Sequence, residues 1–215
     1  MRKFQTLFFD LDDTLYDNKN GLWSAIRDRM NEYMQRLLGL PPNEISSLRR
    51  NYYLTYGTTL RGLQIHHSVS PDEYLAYVHD LPLEKYIHPD PELQNILNSL
   101  PQKKYIFTNA DIDHARRVLA VLGVQNCFHE IIDIRALQFH CKPEPEAYQI
   151  ALRLAGEPDA KACLFVDDSV RNLIVAHQMG FTTVLVGNDG MDSAVDYYIA
   201  NIKQLPSTIP DLRIF

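Results

Sequence analysis

The sequence predicts an α/β protein: a doubly wound, Rossmann-like parallel sheet with an inserted α-helical cap. Two observations predict the sheet. Apolar runs of strand length alternate with helix-period segments over most of the chain. Polar residues directly follow several of these runs, as they do where parallel strands end at a ligand site. A third observation predicts the cap, because residues 16–88 break the alternation and have a helical pattern throughout.

The predicted strands are short apolar runs bounded by turn residues. Runs of this kind are typical of strands that are buried on both faces of a parallel sheet. The strands are Thr6–Phe9, Tyr105–Thr108, Glu130–Ile134, Ala162–Val166 and Thr182–Val186. The helices between the later strands are Ala110–Leu122, Pro145–Ala155 and Val170–Met179. A glycine closely follows each of these helices, which suits a helix end.

The interval without strands is predicted to contain three helices: Leu22–Leu38, Glu44–Tyr56 and Pro71–His79. It is too long for a single crossover helix and too short for independent folding to be assumed. We therefore expect a Rossmann-like core formed by residues 1–15 and 89–215, with the helical cap over residues 16–88.

Composition narrows the class of protein. Hydrophobic residues make up 46% of the chain and charged residues 22%, as in globular proteins. The net charge of −6 argues against a nucleic acid polymer or an anionic membrane as a partner. The three cysteines fit neither a disulfide framework nor zinc-ligand spacing. We expect a cytoplasmic protein with reduced thiols.

Two pairs of aspartates follow predicted strands. Asp10 and Asp12 come after the first strand, and an extended backbone projects side chains two residues apart to one side. Asp167 and Asp168 follow another apolar strand. Carboxylates that converge at one sheet edge repel each other unless a cation lies between them, and oxygen-only ligands favour Mg²⁺ over zinc. The alternative is that each pair caps a helix in solvent.

Two further strand ends carry groups suited to phosphate. Thr108 and Asn109 offer a hydroxyl, an amide and backbone N–H groups. Lys142 offers a positive charge. A chain with a net negative charge needs such a charge within the site itself if it is to bind an anionic phosphate. Taken singly, Thr108 is typical of a turn and Lys142 of the surface, but together with the aspartates they indicate a phosphoryl-transfer site.

Four segments resemble, in order, the motifs of the haloacid dehalogenase superfamily. They are Asp10-Leu11-Asp12-Asp13-Thr14-Leu15, Thr108-Asn109, Lys142-Pro143 and Asp167-Asp168-Ser169. Three segments look more closely like the pyrimidine 5′-nucleotidase branch of that superfamily. They are Gly57–Leu63, Tyr77–Asp80 and Thr108–Ala110.

The resemblance implies a role for each motif residue. Asp10 would be the nucleophile, and Asp12 the general acid and base whose backbone carbonyl also binds Mg²⁺. Asp168 would be a direct metal ligand, and Asp167 a second ligand or an acceptor outside the ligand shell. The metal site would therefore comprise Asp10, Asp12, Asp167 and Asp168. The transferring phosphoryl oxygens would be held by Thr108, Asn109 and Lys142.

The implied activity is that of a Mg²⁺-dependent hydrolase that acts on a small phosphomonoester. The closer resemblance predicts pyrimidine nucleoside 5′-monophosphates, UMP and CMP, with phosphoglycolate or a sugar phosphate as the alternative. Three residues of the glycine-containing segment between two cap helices are the predicted substrate contacts: Thr58, Thr59 and Arg61. The alternative for Arg61 is that it forms an ion pair at the surface and does not contact the substrate.

Three other classes of protein fit the sequence less well. True dehalogenases of the same superfamily lack an aspartate at the position of Asp12, because a halide leaves without a proton. A phosphoaspartate receiver domain carries its acidic pair after the first strand and its phosphoacceptor later, the reverse of the order here. Nothing in the sequence supports an inactive relative that binds a partner, because every catalytic position holds the expected residue.

Overall fold

The computed structural model describes residues 4–17, 19, 21–157, 159–187 and 192–212. The chain divides into two units, Met1–Lys19 with Ile87–Phe215, and Asn20–Tyr86. The first unit contains the sheet and the second is helical. The role of the helical unit as a cap stays a prediction.

Six strands form the sheet: β1 Thr6–Phe9, β2 Lys103–Phe107, β3 Glu130–Ile132, β4 Cys163–Asp167, β5 Thr182–Val186 and β6 Tyr197–Ile199. Their order is β3-β2-β1-β4-β5-β6, and each pair of neighbours is parallel. The order reverses at β1, the position at which open α/β sheets bind ligands beyond the strand ends. The predicted α/β fold class is confirmed.

The described helices of four residues or more are α1 Leu22–Leu38, α2 Pro42–Tyr56, α3 Thr59–His67, α4 Pro71–Val78, α5 Pro91–Ser99, α6 Ile112–Leu122, α7 Pro145–Ala155, α8 Val170–Gln178 and α9 Leu205–Thr208. The first four belong to the helical unit. None of the helices in the described part of the chain combines the length and the apolar character needed to cross a membrane.

Aromatic side chains fill the core on one face of the sheet. Phe107 of β2 lies 5.5 Å from Phe165 of β4 and 5.2 Å from Tyr148 of α7, measured between ring centroids. Phe8 of β1 lies 5.9 Å from Phe181, which precedes β5. Since β1 is also fully buried along its length, the strands that carry the aspartates are fixed by packing on both faces.

The start and end of α6 follow from its sequence. The side chain of Asp111 accepts a hydrogen bond from the backbone N–H of His114, which satisfies one of the donors exposed in the first turn. Gly123 ends the helix with φ 76°, a left-handed conformation that costs glycine little. The helix that follows Thr108 and Asn109 is therefore fixed at both ends.

Four of these elements are absent from the sequence prediction: α3, α5, β6 and the four-residue α9. The helix α5 starts at a usable signal, since Asp90 is its N-cap and proline occupies its first turn. The strand β6 has three residues and pairs only with β5 in the described chain. An apolar run of this length is too short to be recognised as a strand in the sequence. The segment Gly57–Leu63, predicted to lie between two cap helices, contains the first half of α3. Gly62 therefore lies inside a helix.

Helix α2 comes very close to α3 at Gly62. A β-carbon at Gly62 would overlap the Cβ and Cγ of Tyr52 on α2. Tyr52 is 5% exposed, so its ring has little freedom to move away. The helix-breaking tendency of glycine is therefore outweighed here by the space that its missing side chain leaves.

We expect Gly62→Ala to destabilise the helical unit by about 1–3 kcal/mol, as overpacking does, although alanine is the better helix former. Urea unfolding of the full chain measures the change. Gly39→Ala is the control, because a β-carbon there meets no atom within 4 Å and only the left-handed backbone opposes it, at about 1 kcal/mol. A Gly62→Ala variant at least as stable as the wild type would contradict this packing.

Candidate active site

Three carboxylates meet where β1 and β4 end. Asp10 follows β1 directly, and Asp167 is the last residue of β4, its parallel neighbour. Asp10, Asp167 and Asp168 each offer an oxygen, and these oxygens lie within 4.8 Å of one another. The register of two adjacent parallel strands thus brings together residues that are far apart in sequence.

Lys142 lies between two of these carboxylates. Its Nζ donates to Oδ1 of Asp10 and to Oδ2 of Asp167, at 2.7 Å each. Lys142 is 1% exposed, and its ammonium lies 5.1 Å from the ring centroid of Phe107 and 5.2 Å from that of Phe165. The sequence gives no sign of this burial, and the ordinary expectation for a single lysine is the surface.

The pKa values in this cluster reflect burial and excess negative charge. Burial raises the pKa of Asp10 to about 7, with Lys142 opposing and with Asp167 and Asp12 adding to the rise. Burial also raises the pKa of Asp168 to about 9, with Asp167 and Asp10 adding to it. Burial lowers the pKa of Lys142, but Asp10 and Asp167 outweigh it and hold the pKa above its usual range.

These shifts mean that one ammonium does not balance the three carboxylates. Full ionisation at neutral pH requires a further positive charge close to Asp10 and Asp168. The available donors are carboxylate oxygens, the ligands that Mg²⁺ prefers. The residues present therefore fit a Mg²⁺ site.

Asp167 is held by several donors. Beside Lys142, its carboxylate accepts from the backbone N–H of Ser169 at 2.8 Å and from Nδ2 of Asn172 at 3.0 Å. It is fully buried. These contacts favour the role of an acceptor outside the ligand shell, which orients Lys142, over that of a direct ligand. Asn172 does not figure in the sequence prediction, and its place in the first turn of α8 after the Asp167-Asp168 motif is the signal that could have indicated it.

Asp12 contacts two residues that the sequence analysis does not single out. Its Oδ1 is 2.9 Å from Nε2 of His114 on α6 and accepts from the hydroxyl of Tyr16 at 2.5 Å. Burial lowers the pKa of His114, but the charge and hydrogen bond of Asp12 raise it above its usual value. Tyr16 lies four residues after Asp12, whereas His114 is 102 residues away, and only the fold brings it there.

Thr108 and Asn109 follow β2, the other neighbour of β1. Thr108 is 2% exposed, and its hydroxyl oxygen accepts from the N–H of Ala110 at 3.0 Å. The amide of Asn109 pairs with the backbone of Lys142, accepting from its N–H at 2.8 Å and donating to its carbonyl at 3.0 Å. The side chain of Asn109 thereby fixes the segment that carries Lys142.

A cleft of about 630 Å³ opens beside the acidic cluster. Its volume lies in the usual range for small-molecule sites. The lining includes the loop after β1, Asp168 and the segment around β6: Asp13, Thr14, Tyr16, Asp168, Gly187, Asn201 and Lys203. Asp168 lines this cleft, whereas Asp10 and Lys142 do not, so the cleft adjoins the acidic cluster at Asp168.

The predicted substrate contacts lie in the helical unit. Thr58 is the N-cap of α3, where its hydroxyl accepts from the N–H of Arg61. Thr59 is buried within this unit, and Arg61 is partly exposed in the first turn of α3. This N-cap hydrogen bond gives Thr58 a structural role within the helical unit. Contact of these three residues with a substrate stays a prediction.

The family model for haloacid dehalogenase-like hydrolases matches residues 4–180. The chain therefore belongs to the haloacid dehalogenase-like hydrolases. A solved structure with the same fold is that of a HAD phosphatase from Thermococcus onnurineus, with a TM-score of 0.66 and 19% identity. The match covers 98% of this chain and 100% of that one.

Two curated relatives are similar in sequence. Phosphate metabolism protein 8 of Saccharomyces cerevisiae is 28% identical over 195 residues, which are 84% of this chain and 61% of that protein. A phosphoglycolate phosphatase of Haemophilus influenzae is 29% identical over 125 residues, 56% of this chain and 52% of that protein. The chain thus spans between half and two thirds of the length of each of these relatives.

In the presence of a chelator, we expect the Asp168→Asn variant to have a higher midpoint of thermal unfolding than the wild type. The difference should be larger at pH 8 than at pH 5. The pKa of Asp168 is about 9 in the folded protein against an ordinary 3.8, so the folded state retains a proton that the unfolded state has released between those values. The resulting loss of stability grows with pH across that window, and asparagine removes it. Because each unit of pKa difference amounts to about 1.4 kcal/mol, and 1 kcal/mol to about 2–4 °C in a chain of this size, we expect a difference of roughly 10 °C or more at pH 8.

Saturating Mg²⁺ should reverse this order, because a bound cation stabilises the wild type and not the variant. Differential scanning calorimetry with and without chelator measures both effects. Asp113→Asn, at an exposed position on α6, is the matched control and should respond to neither pH nor Mg²⁺ in this way. An identical Mg²⁺ response in Asp168→Asn and the wild type would remove Asp168 from the metal site.

Proposed function

We propose that this protein is a Mg²⁺-dependent phosphatase that acts through a phosphoaspartate at Asp10. The observation that carries the proposal is the cluster at the end of β1 and β4, where Asp10 faces Lys142 and lies close to Asp168. A carboxylate nucleophile, a fixed ammonium and a set of oxygen ligands are the parts that phosphoryl transfer requires.

In the first step, an oxygen of the ionised Asp10 attacks phosphorus in line with the ester oxygen. The bond from phosphorus to the ester oxygen breaks, and protonated Asp12 gives its proton to the departing alkoxide. The products are an alcohol and an acyl phosphate on Asp10. Lys142 holds the nucleophile in place and favours its ionised form, since its Nζ donates to Asp10 at 2.7 Å.

In the second step, Asp12 takes a proton from a water molecule, and the water oxygen attacks phosphorus. The bond between phosphorus and Asp10 breaks, inorganic phosphate leaves, and both aspartates return to their starting protonation. Asp10 and Asp168, with the backbone carbonyl of Asp12, would hold the metal ion. Bound Mg²⁺ supplies positive charge that stabilises the transferring phosphoryl group.

Phosphate ester hydrolysis is favoured over dehalogenation by Asp12. An alkoxide is a poor leaving group and needs a proton, whereas a halide does not. In this chain the Asp12 carboxyl is held by Tyr16 and His114, as a residue that transfers a proton should be. The phosphatases among the similar proteins support the same reaction class.

We propose that the substrates are pyrimidine nucleoside 5′-monophosphates. The ground for this proposal is the resemblance of segments in the helical unit to the pyrimidine 5′-nucleotidase branch. Thr58, Thr59 and Arg61 would contact the leaving group. A second candidate is phosphoglycolate, which the relative in Haemophilus influenzae favours by its name. The two candidates share the phosphoryl chemistry and differ in what the leaving group offers for recognition.

Asp10→Asn should abolish phosphate release while the fold is kept. The amide is nearly the same shape but cannot attack phosphorus, and removal of a nucleophile lowers kcat by roughly 10⁴-fold or more. Circular dichroism tests the fold, and phosphate release from p-nitrophenyl phosphate tests turnover. Asp113→Asn, at an exposed position on α6, is the control. Activity of Asp10→Asn within about tenfold of the wild type, or 1.4 kcal/mol, would falsify the assignment.

A phosphate-release screen decides the substrate class. We expect higher kcat/KM for UMP and CMP than for AMP, GMP or phosphoglycolate, because a larger purine ring would crowd the predicted site. Arg61→Ala should lower kcat/KM for UMP by about tenfold, the effect of losing one charged contact, and leave p-nitrophenyl phosphate nearly unchanged. Arg50→Ala, an exposed arginine on α2, is the matched control.

Preference for phosphoglycolate would select the second candidate and leave the phosphatase mechanism intact. Equal effects of Arg61→Ala on UMP and on the aryl ester would remove Arg61 from the substrate site.

A further inference from the structure

Two hydrogen bonds converge on one oxygen of the Asp12 carboxyl. Nε2 of His114 lies 2.9 Å from Oδ1, and the hydroxyl of Tyr16 donates to the same atom at 2.5 Å. His114 is 2% exposed, so its contact is formed away from bulk water. Hydrogen bonds in such surroundings are stronger and more directional than those in solvent.

The position of His114 is fixed by the backbone at the start of α6. Its own N–H donates to the N-cap Asp111 at 2.8 Å, and the N–H of Ile112 donates to Asp133 at 2.9 Å. Asp133 also accepts from the N–H of Ala136, which ties the first turn of α6 to the segment after β3. The imidazole therefore projects from a rigid helix terminus toward Asp12, as precise placement of a site requires.

The two donors have a chemical consequence. An oxygen that accepts from both an imidazole N–H and a phenol keeps these bonds whether or not the carboxyl group is protonated. The acidic proton is then carried by the other oxygen, Oδ2. In the proposed reaction Asp12 gives up a proton in the first step and takes one in the second, so its carboxyl should keep one orientation through both.

We propose that His114, together with Tyr16, is a positioning residue for Asp12, which holds the carboxyl so that Oδ2 donates and recovers the proton. This inference rests on the proposed phosphatase function. It adds to that function a residue on α6, 102 residues from Asp12, that none of the four sequence motifs contains.

The test compares leaving groups. His114→Phe keeps a ring of similar size and removes the donor, whereas His114→Gln keeps an amide nitrogen near the position of Nε2. With UMP or phosphoglycolate, whichever the wild type prefers, His114→Phe should lower kcat/KM, which covers only the steps up to formation of the acyl phosphate, by about tenfold or more, a part of the 10²–10⁴ that general acid help supplies. With p-nitrophenyl phosphate, whose leaving group needs little protonation, kcat/KM should fall by less than about threefold. His114→Gln should recover most of the loss.

A double variant separates positioning from general damage. In an Asp12→Asn background, His114→Phe should cause no further loss on the alkyl ester, because the group that it positions is already disabled. His129→Phe is the control for the change in side chain. His129 is exposed and directly precedes β3, at the edge of the sheet opposite the site, and this variant should leave both substrates unaffected.

Equal losses of kcat/KM for His114→Phe on the alkyl and aryl esters, or additive losses in the Asp12→Asn background, would overturn the positioning role. If the wild type is active and Asp12→Asn alone shows the dependence on the leaving group, this inference fails and the proposed function stands. If the wild type releases phosphate from no monoester, the proposed function fails and the inference fails with it.

Discussion

The buried ammonium of Lys142 is the group on which the arrangement of the site depends. Its Nζ is 2.7 Å from a carboxylate oxygen on each of two strands, and almost no water reaches it. Removing one partner of a buried ion pair typically costs 3–5 kcal/mol, because the remaining charge is left without compensation. Without Lys142, the buried carboxylate of Asp10 would lose the positive charge that it faces. The rings of Phe107 and Phe165 below the ammonium and the amide of Asn109 beside it keep Lys142 in place.

The same constraint supports the proposal that the site binds a metal ion. Lys142 balances part of the negative charge, and the raised pKa values of Asp10 and Asp168 reflect the remainder. A site that is short of positive charge can take a cation and then a phosphate in sequence, each improving the binding of the other. Complete neutralisation by a second lysine would leave no place for either. The partial balance is thus a condition of the proposed chemistry rather than a defect of the fold.

Asp10 and Asp12 divide the chemistry through their surroundings. Asp10 faces an ammonium, which favours the ionised form that a nucleophile needs. Asp12 faces a phenol and an imidazole, whose hydrogen bonds fix the orientation of its carboxyl. Two aspartates separated by one residue in sequence can therefore carry out different steps. The difference arises from their partners, which come from the loop before α7, from α6 and from the loop after β1.

Much of the fold and of the site could be predicted from the sequence. Continuous apolar runs and helix periodicity gave β1, β5, α1 and α7 with the bounds that the structure has, because parallel strands buried on both faces leave a strong local signal. The aspartates were indicated as a site by their place directly after strands. The family likewise follows from short motifs in a fixed order.

The tertiary structure alone decided which partner each of these groups has. The burial of Lys142, the pairing of Asn109 with its backbone and the contact of His114 with Asp12 join segments that are distant in sequence. No local pattern encodes such contacts, since a lone lysine, asparagine or histidine is equally compatible with the surface. Gly62 shows the same limit within the helical unit, where a local helix breaker lies inside α3 because Tyr52 of α2 leaves no room for a side chain. Local periodicity fixes where strands and helices run, but long-range packing decides which polar group meets which.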